Sequence, residues 1–392
     1  MINNNNKRDI TYIPFALPDI SDEEINQVAN CMKSGWLTTG PKVKEFENNF
    51  ANFIGNDVAA VSVNSATSGL ILVLEALGIK EGDEVITTAF TFSATAMSIV
   101  HIGATPIFVD INPNTMNIDP NKIEEAITSN TKAIIPVHFA GLSCDMDKII
   151  KIAKKNNLYI IEDAAHALPA TYNGKIIGSL DTDATIYSFY ATKTITTGEG
   201  GMIVTKNKTI ANRCRIMRLH GISTDVFDRY TSTKPKWYYE IIAAGYKCNM
   251  TDIAAAIGIP QLGKANQFQK KRQYIHDIYC NEFKNLPVKL PAEPQANDIH
   301  SWHLFTIQLT SDSPIGRDDF INKMSNDYAI GCSVHFIPLH LHPYWKHKTL
   351  DNYKNLKNSE SVFNNIVSLP IYTKMTDEQI ERVVTATKKV LT

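Results

Sequence analysis

Between residues 58 and 205 short apolar runs alternate with helical segments, and that alternation restricts this stretch to a layered α/β sheet. VAAVSV (58–63) reads as a buried strand, followed by the polar turn Asn64-Ser-Ala-Thr-Ser-Gly69 and the helix LILVLEALG. GDEVITTAFTFSATAMSIVHIGATPIFVDI continues strand, helix, strand. NTKAIIPVHFAG adds a strand ending near His138, and DMDKIIKIAKKNN a helix with apolar residues three and four apart. LYIIEDA is an apolar strand closing on an acid, Asp163. DATIYSF is another; it runs through Ser188 towards Lys193, and MIVT is a third after the turn Gly198-Glu-Gly-Gly201. Right-handed crossovers then make the sheet mainly parallel, and ligands of such sheets sit at the carboxyl ends of strands. Asn64, Phe92 and Asp163 all fall at such ends.

On either side the pattern differs. Residues 1–10 read as a ragged polar end, and Ser21 with Glu24 makes a capping box. Ser34–Pro41, SGWLTTGP, is a turn-rich loop before the amphipathic helix KVKEFENNFANFIG. Beyond 205, RCRIMRLHGI is basic. FDRYTSTKPKWYYEII is a loop whose Trp237, Tyr238 and Tyr239 suit either a nucleotide or a neighbouring subunit. Thr251 caps a long helix that Pro260 is expected to kink or split. From about 290 the expected strands SWHLFTIQL and CSVHFIPLHL mix with the helices RDDFINKMSNDYAIG and TDEQIERVVTATKKVL. The expected division is an N-terminal arm and large α/β domain over 1–255, then a linking helix and smaller C-terminal α+β domain over 256–392.

A chain of 392 residues can hold two such units. Its net charge of −1 excludes an overall basic field for nucleic acid or an anionic membrane. The six cysteines form no CxxC pair, which suits reduced thiols in the cytoplasm. The start lacks a signal-peptide apolar core, and no stretch reaches roughly 18 apolar residues. His300, His303, His335, His340 and His342 lack a completing carboxylate or cysteine in the sequence pattern, so no metal is expected.

Each candidate residue has an ordinary reading. Ser and Thr cap many helices, Phe92 alone is a core aromatic, and a lysine past a strand is usually a surface charge. Together they match what pyridoxal 5'-phosphate (PLP) needs: a lysine for the Schiff base, a carboxylate for the pyridine nitrogen, a phosphate cradle at a helix start and an aromatic face for the ring. Lys193, Asp163, the 65–68 helix start and Phe92 supply one candidate each.

The order EDAAHA (162–167), then SFYATKTITTGEGG (188–201), resembles the signature of the DegT/StrS family of nucleotide-sugar aminotransferases. SGWLTTGP, EVITTAFTFSATA (84–96), GYKCNMTDIAAAIG (245–258), VHFIPLH (334–340) and SLPIYTKMTDEQ (368–378) extend the resemblance from about residue 13 to 391. It implies an α/β, fold-type I PLP-dependent transferase with catalytic Lys193 and Asp163 on the pyridine nitrogen. His166 would contact the ring hydroxyl, Ala66, Thr67 and Ser188 the phosphate, and Phe92 would stack on the ring. Asn249 would reach the phosphate of the partner subunit in a homodimer with shared active sites. The sequence departs from the family at Cys248, where an aromatic is usual.

The implied reaction moves the amino group of L-glutamate, which leaves as 2-oxoglutarate, to a ketone of a nucleotide-linked sugar. IPFALPDI, GWLTTGP, HGI and FDRY look most like the branch acting at C4 of UDP-linked 4-keto sugars, 6-deoxy ones among them, for surface polysaccharide, lipopolysaccharide or glycan. C3 amination, or a dTDP- or GDP-linked sugar, stands as the alternative. Related sugar dehydratases carry histidine where Lys193 stands, which sets them aside. A PLP-binding regulatory protein without turnover keeps the same residues and differs only in activity.

Overall fold

The computed structural model describes residues 11–223, 239–346 and 355–392. Trp237 and Tyr238 of the aromatic loop lie outside the described residues. The chain begins with helices α1 (Asp22–Ser34) and α2 (Pro41–Ile54). It continues β1 (Ala59–Val63), α3 (Ala66–Ala76), β2 (Glu84–Thr88), α4 (Ser93–His101), β3 (Thr105–Val109), α5 (Pro120–Glu125), β4 (Thr131–Ile134) and α6 (Met146–Asn156). Then come β5 (Tyr159–Asp163), the small hairpin β6 (Thr171–Tyr172) and β7 (Lys175–Ile176), β8 (Ala184–Ser188), β9 (Gly201–Thr205) and α7 (Lys208–Met217).

Seven strands form one sheet in the order β1-β9-β8-β5-β4-β2-β3. From β8 to β3 neighbouring strands run parallel, while β9 is antiparallel to both β1 and β8. Both faces are covered, which is why the strands read as continuous apolar runs. Alternate residues serve opposite cores. Ile86, Ile160 and Met202 join one cluster with α2 and α6, whereas Val85, Ile161 and Ile203 join another with α3 and α7. Cys248 packs into the second cluster beside Val63 and Leu70, so this small side chain is accommodated as core.

Helix α8 (Asp252–Phe283) runs unbroken for 32 residues, with Pro260 inside it. The expected split does not occur. Pro260 forfeits one ladder bond, to the carbonyl four residues earlier, and α1 and α2 both pack on the helix and hold it. Its first half gives Ala255, Leu262, Ala265 and Phe268 to the core that holds α2; its second half gives Ile275, Tyr279 and Phe283 to a separate core.

That second core is built on β10 (Val288–Lys289), β11 (Phe305–Leu309), α9 (Arg317–Tyr328), β12 (Ile366–Leu369) and α12 (Asp377–Leu391), while the short α10 (Pro343–Lys346) and α11 (Lys357–Asn365) give Trp345 and Val362 to smaller clusters, with Phe108 and with Phe90. The three strands form one sheet in the order β10-β11-β12.

Two expected strands are shorter or absent. In SWHLFTIQL only Phe305–Leu309 is a strand, because Ser301 N and His303 N donate instead to the carbonyls of Gly141 (3.2 Å) and Ala140 (2.9 Å). CSVHFIPLHL forms none. Ser333 pairs with Ser368 as an isolated bridge, after which Leu339 N is drawn to Ala89 O at 2.8 Å and Leu339 packs with Phe108 and Trp345. This segment therefore crosses to the large sheet's strand ends, and His340 and His342 lie on a 3-10 turn and its cap rather than on a strand face. Among the described residues, no helix is long and apolar enough to cross a membrane.

Candidate active site

The site gathers at the carboxyl ends of β1, β2, β5 and β8. β5 ends on Asp163, which is 6% exposed. Its Oδ2 accepts from Thr95 Oγ1 at 2.8 Å and its Oδ1 from Ala165 N at 3.1 Å. The Thr95 bond ties the acid to α4, whose N-cap residue is Phe92. Behind it, buried Glu162 accepts from Thr182, from Thr185 and from His138 Nε2 at 3.0 Å. Cys144 N donates to His138 Nδ1 at 3.1 Å, so the ring's own proton sits on Nε2, facing Glu162. This buried pair fixes the ends of β4 and β5 from the side away from the ligand face.

Lys193 follows β8 and its amine feels the Asp163 carboxylate. Burial pulls its pKa down to about 8, and Asp163 opposes the fall. His166 is buried three residues beyond Asp163 and accepts from Ala140 N through Nδ1 at 3.3 Å, which leaves Nε2–H free to donate. Burial, then the Lys193 and His335 charges, hold the His166 pKa well below the ordinary value, so the ring is neutral.

The phosphate candidates converge on Gly201. Ser65 caps α3 by accepting from Ser68 N at 3.2 Å, and the amides of Ala66 and Thr67 in that first turn have no intrahelical acceptor. Gly201 pairs with Ser188 across β8 and β9. A Cβ on Gly201 would lie 2.7 Å from Ala66 N and 2.8 Å from Ser65 C, so only glycine lets the helix start close on the strand pair. Phe92 stands 63% exposed at this rim, with its ring 6.3 Å from that of Phe336. Phe336 in turn stacks at 6.0 Å on His166. An amine, a carboxylate, a neutral imidazole, free helix-start amides and an exposed phenyl ring are the donor set PLP requires, and the residues present fit it.

Asn249 is placed differently. It bridges Val63 at the end of β1, but its side chain donates to Thr39 Oγ1 at 2.6 Å and accepts from Lys247, not from the groups around Lys193. Asp252 holds the 34–41 loop against this segment by accepting from the amides of Gly40, Lys42 and Val43 at 2.8 to 3.0 Å.

His303 and His335, which the sequence pattern offers only as metal candidates, both stand close enough to Lys193 to feel its charge. His303 is buried, its ring lies 4.3 Å from that of His166, and its Nδ1 has no hydrogen-bond partner among the described residues. No local pattern marks it, since it comes from the segment bonded to the 139–141 turn.

The profile of the DegT/DnrJ/EryC1/StrS aminotransferase family matches residues 18–388. The chain is 52% identical over 383 residues to the uncharacterised protein MJ1066 of Methanocaldococcus jannaschii, covering 97% of this chain and 98% of that protein. It is 44% identical over 381 residues to the spore coat polysaccharide biosynthesis protein SpsC of Bacillus subtilis, covering 97% of each. Among solved structures, the putative sugar aminotransferase Spr1654 of Streptococcus pneumoniae superposes with a TM-score of 0.89 at 35% identity, over 97% of this chain and 99% of that one, and is known in PLP and PMP forms. The fold and site define a fold-type I PLP-dependent aminotransferase. This chain belongs to the DegT/DnrJ/EryC1/StrS aminotransferase family.

Proposed function

We propose that this chain moves the amino group of L-glutamate to the C4 ketone of a UDP-linked 4-keto-6-deoxy sugar, for a surface polysaccharide or glycan. The observation that carries the reading is Lys193, an amine with its pKa lowered to about 8 beside the Asp163 carboxylate at a strand end. The polysaccharide biosynthesis role of SpsC and the description of Spr1654 as a putative sugar aminotransferase support the substrate class. The UDP group and C4 rest on the likeness of the 34–41 loop and the HGI segment to that branch.

PLP supplies an aldehyde that takes up the amine and a ring that accepts the electron pair of the carbon losing its proton. The rest is work for the chain's side chains. Lys193 Nζ takes the proton from the amine-bearing carbon of glutamate and later delivers one to the sugar carbon, which its lowered pKa permits near neutral pH. Asp163, held by Thr95, would set its carboxylate against the pyridine nitrogen. His166 would donate from Nε2 to the ring hydroxyl, and Phe92 would cover one face of the ring. Ala66, Thr67 and Ser188 would hold the phosphate, joined by Asn249 of a second copy in a homodimer.

The test is direct. PLP-loaded protein and L-glutamate are given UDP-4-keto-6-deoxy-N-acetylhexosamine, a UDP-3-keto sugar or a dTDP-4-keto sugar, with amino sugar and 2-oxoglutarate followed by mass spectrometry and NMR. Amination at C4 of the UDP sugar in step with 2-oxoglutarate is expected. Turnover of only the 3-keto or dTDP compound refutes the substrate, and no turnover of any favours a binding role.

A further inference from the structure

We propose that His276, Cys280 and Glu293 form a site for one zinc-class divalent cation, away from the PLP centre. His276 and Cys280 lie four residues apart on α8 and so share a face of the helix, and Glu293 comes from the loop after β10. His276 Nε2 is 3.1 Å from Glu293 Oε1 and 3.2 Å from Cys280 Sγ, and the three donor atoms all lie within 4.8 Å of one another. Tetrahedral bonds of about 2.0–2.3 Å to N, O and S require donors roughly 3.3–3.5 Å apart, close to the two distances from His276 Nε2.

The surroundings are those of a ligating histidine. Nδ1 of His276 faces Asp277 Oδ1 at 3.0 Å, and Gln273 Nε2 braces that carboxylate at 2.8 Å. The Trp302 ring stacks on His276 with centroids 3.6 Å apart. A carboxylate on the far nitrogen fixes the tautomer and raises the basicity of the ligating one. With its proton on Nδ1, Nε2 turns a lone pair towards Glu293 Oε1 and Cys280 Sγ. A proton placed between them would serve one acceptor, whereas a cation is bound by all three.

The mixed N, S and O set favours zinc over magnesium or calcium, and three protein donors leave a fourth position for water. His276 is buried, while the Glu293 side chain is 61% exposed, which opens the site to solvent on one side. The cation displaces the Cys280 thiol proton to solvent as the sulfur–metal bond forms. Trp302 precedes His303 in the chain, so a cation on His276 would stiffen the wall that carries His303 towards Lys193.

The probe is Co²⁺, added to tag-free, chelator-treated holoenzyme and then displaced by Zn²⁺. One Co²⁺ per chain is expected, with sulfur-to-cobalt absorption in the near ultraviolet. Cys280→Ser should lose that absorption. Glu293→Gln, at an exposed position that does not endanger the fold, should weaken binding at least about 10-fold, and Asp277→Asn about 10- to 100-fold. An absorption unchanged in Cys280→Ser places the cation elsewhere and overturns the proposal. So does a His276 Nε2 whose ¹⁵N resonance is unmoved by excess Zn²⁺, because that nitrogen would then not be a ligand.

Discussion

Lys193 is under two opposed pressures: burial lowers its pKa and the Asp163 carboxylate raises it, with burial ahead. Below about pH 8 the amine is mostly protonated and cannot attack an aldehyde. Capture of PLP by apoenzyme should therefore quicken about tenfold per pH unit from pH 6 and level off above about 8. Asp163→Asn removes the opposing charge and should move the midpoint lower. Stopped-flow absorbance reads both, and a midpoint near the ordinary lysine value would contradict the burial argument. Thr95→Val removes one hydrogen bond to the Asp163 carboxylate, a loss of about 1.5–3 kcal/mol that should appear as PLP affinity weaker by roughly 10- to 100-fold in a fluorescence titration. Lys193 and Asp163 were legible because each stands in a local motif. His303 was not, because two backbone bonds to a turn more than 150 residues earlier put it there.

At the scale of elements, the strand–helix alternation before residue 205 was legible because a sheet buried on both faces leaves continuous apolar runs. The later segments were not, because CSVHFIPLHL has strand composition and yet its backbone is claimed by Ala89 of the large sheet. Helix α8 shows the same limit at Pro260, where packing by α1 and α2 outweighs one lost bond. The α1–α8 contact can be tested through Glu24. Burial works to raise its pKa, but hydrogen bonds from Lys264, Ser21 and Gln261 outweigh burial and hold it at about 2. A lowered carboxylate gives stability that is present above its unfolded value of 4.5 and is lost as pH falls towards 2. Glu24→Gln should cost about 1–2 kcal/mol at pH 7, and the difference should vanish near pH 2 in urea melts.

For the whole molecule, the proposed homodimer turns on what a second copy would contribute. Asn249 has its side chain on Thr39 and Lys247 rather than at its own Lys193, which suits a residue offered across a dimer interface. Ile241 and Ile242, close by in sequence, are exposed apolar residues such an interface would cover. Lys193→Ala and Asn249→Ala subunits, each weakly active alone, should regain about a quarter of wild-type activity when refolded together, since half the dimers are mixed and each holds one intact site. No recovery, with mixed dimers shown by native mass spectrometry, would place each site within one subunit.

The central claim is that Lys193 binds PLP and passes the amino group of glutamate to it. The measurement is the absorbance spectrum of PLP-treated wild type and Lys193→Ala, before and after L-glutamate. Wild type should show the visible band of the lysine-bound cofactor and lose it on adding glutamate, with one 2-oxoglutarate released per chain. Lys193→Ala should show no such band. A wild-type band that glutamate leaves untouched, or the same band in Lys193→Ala, would contradict the account.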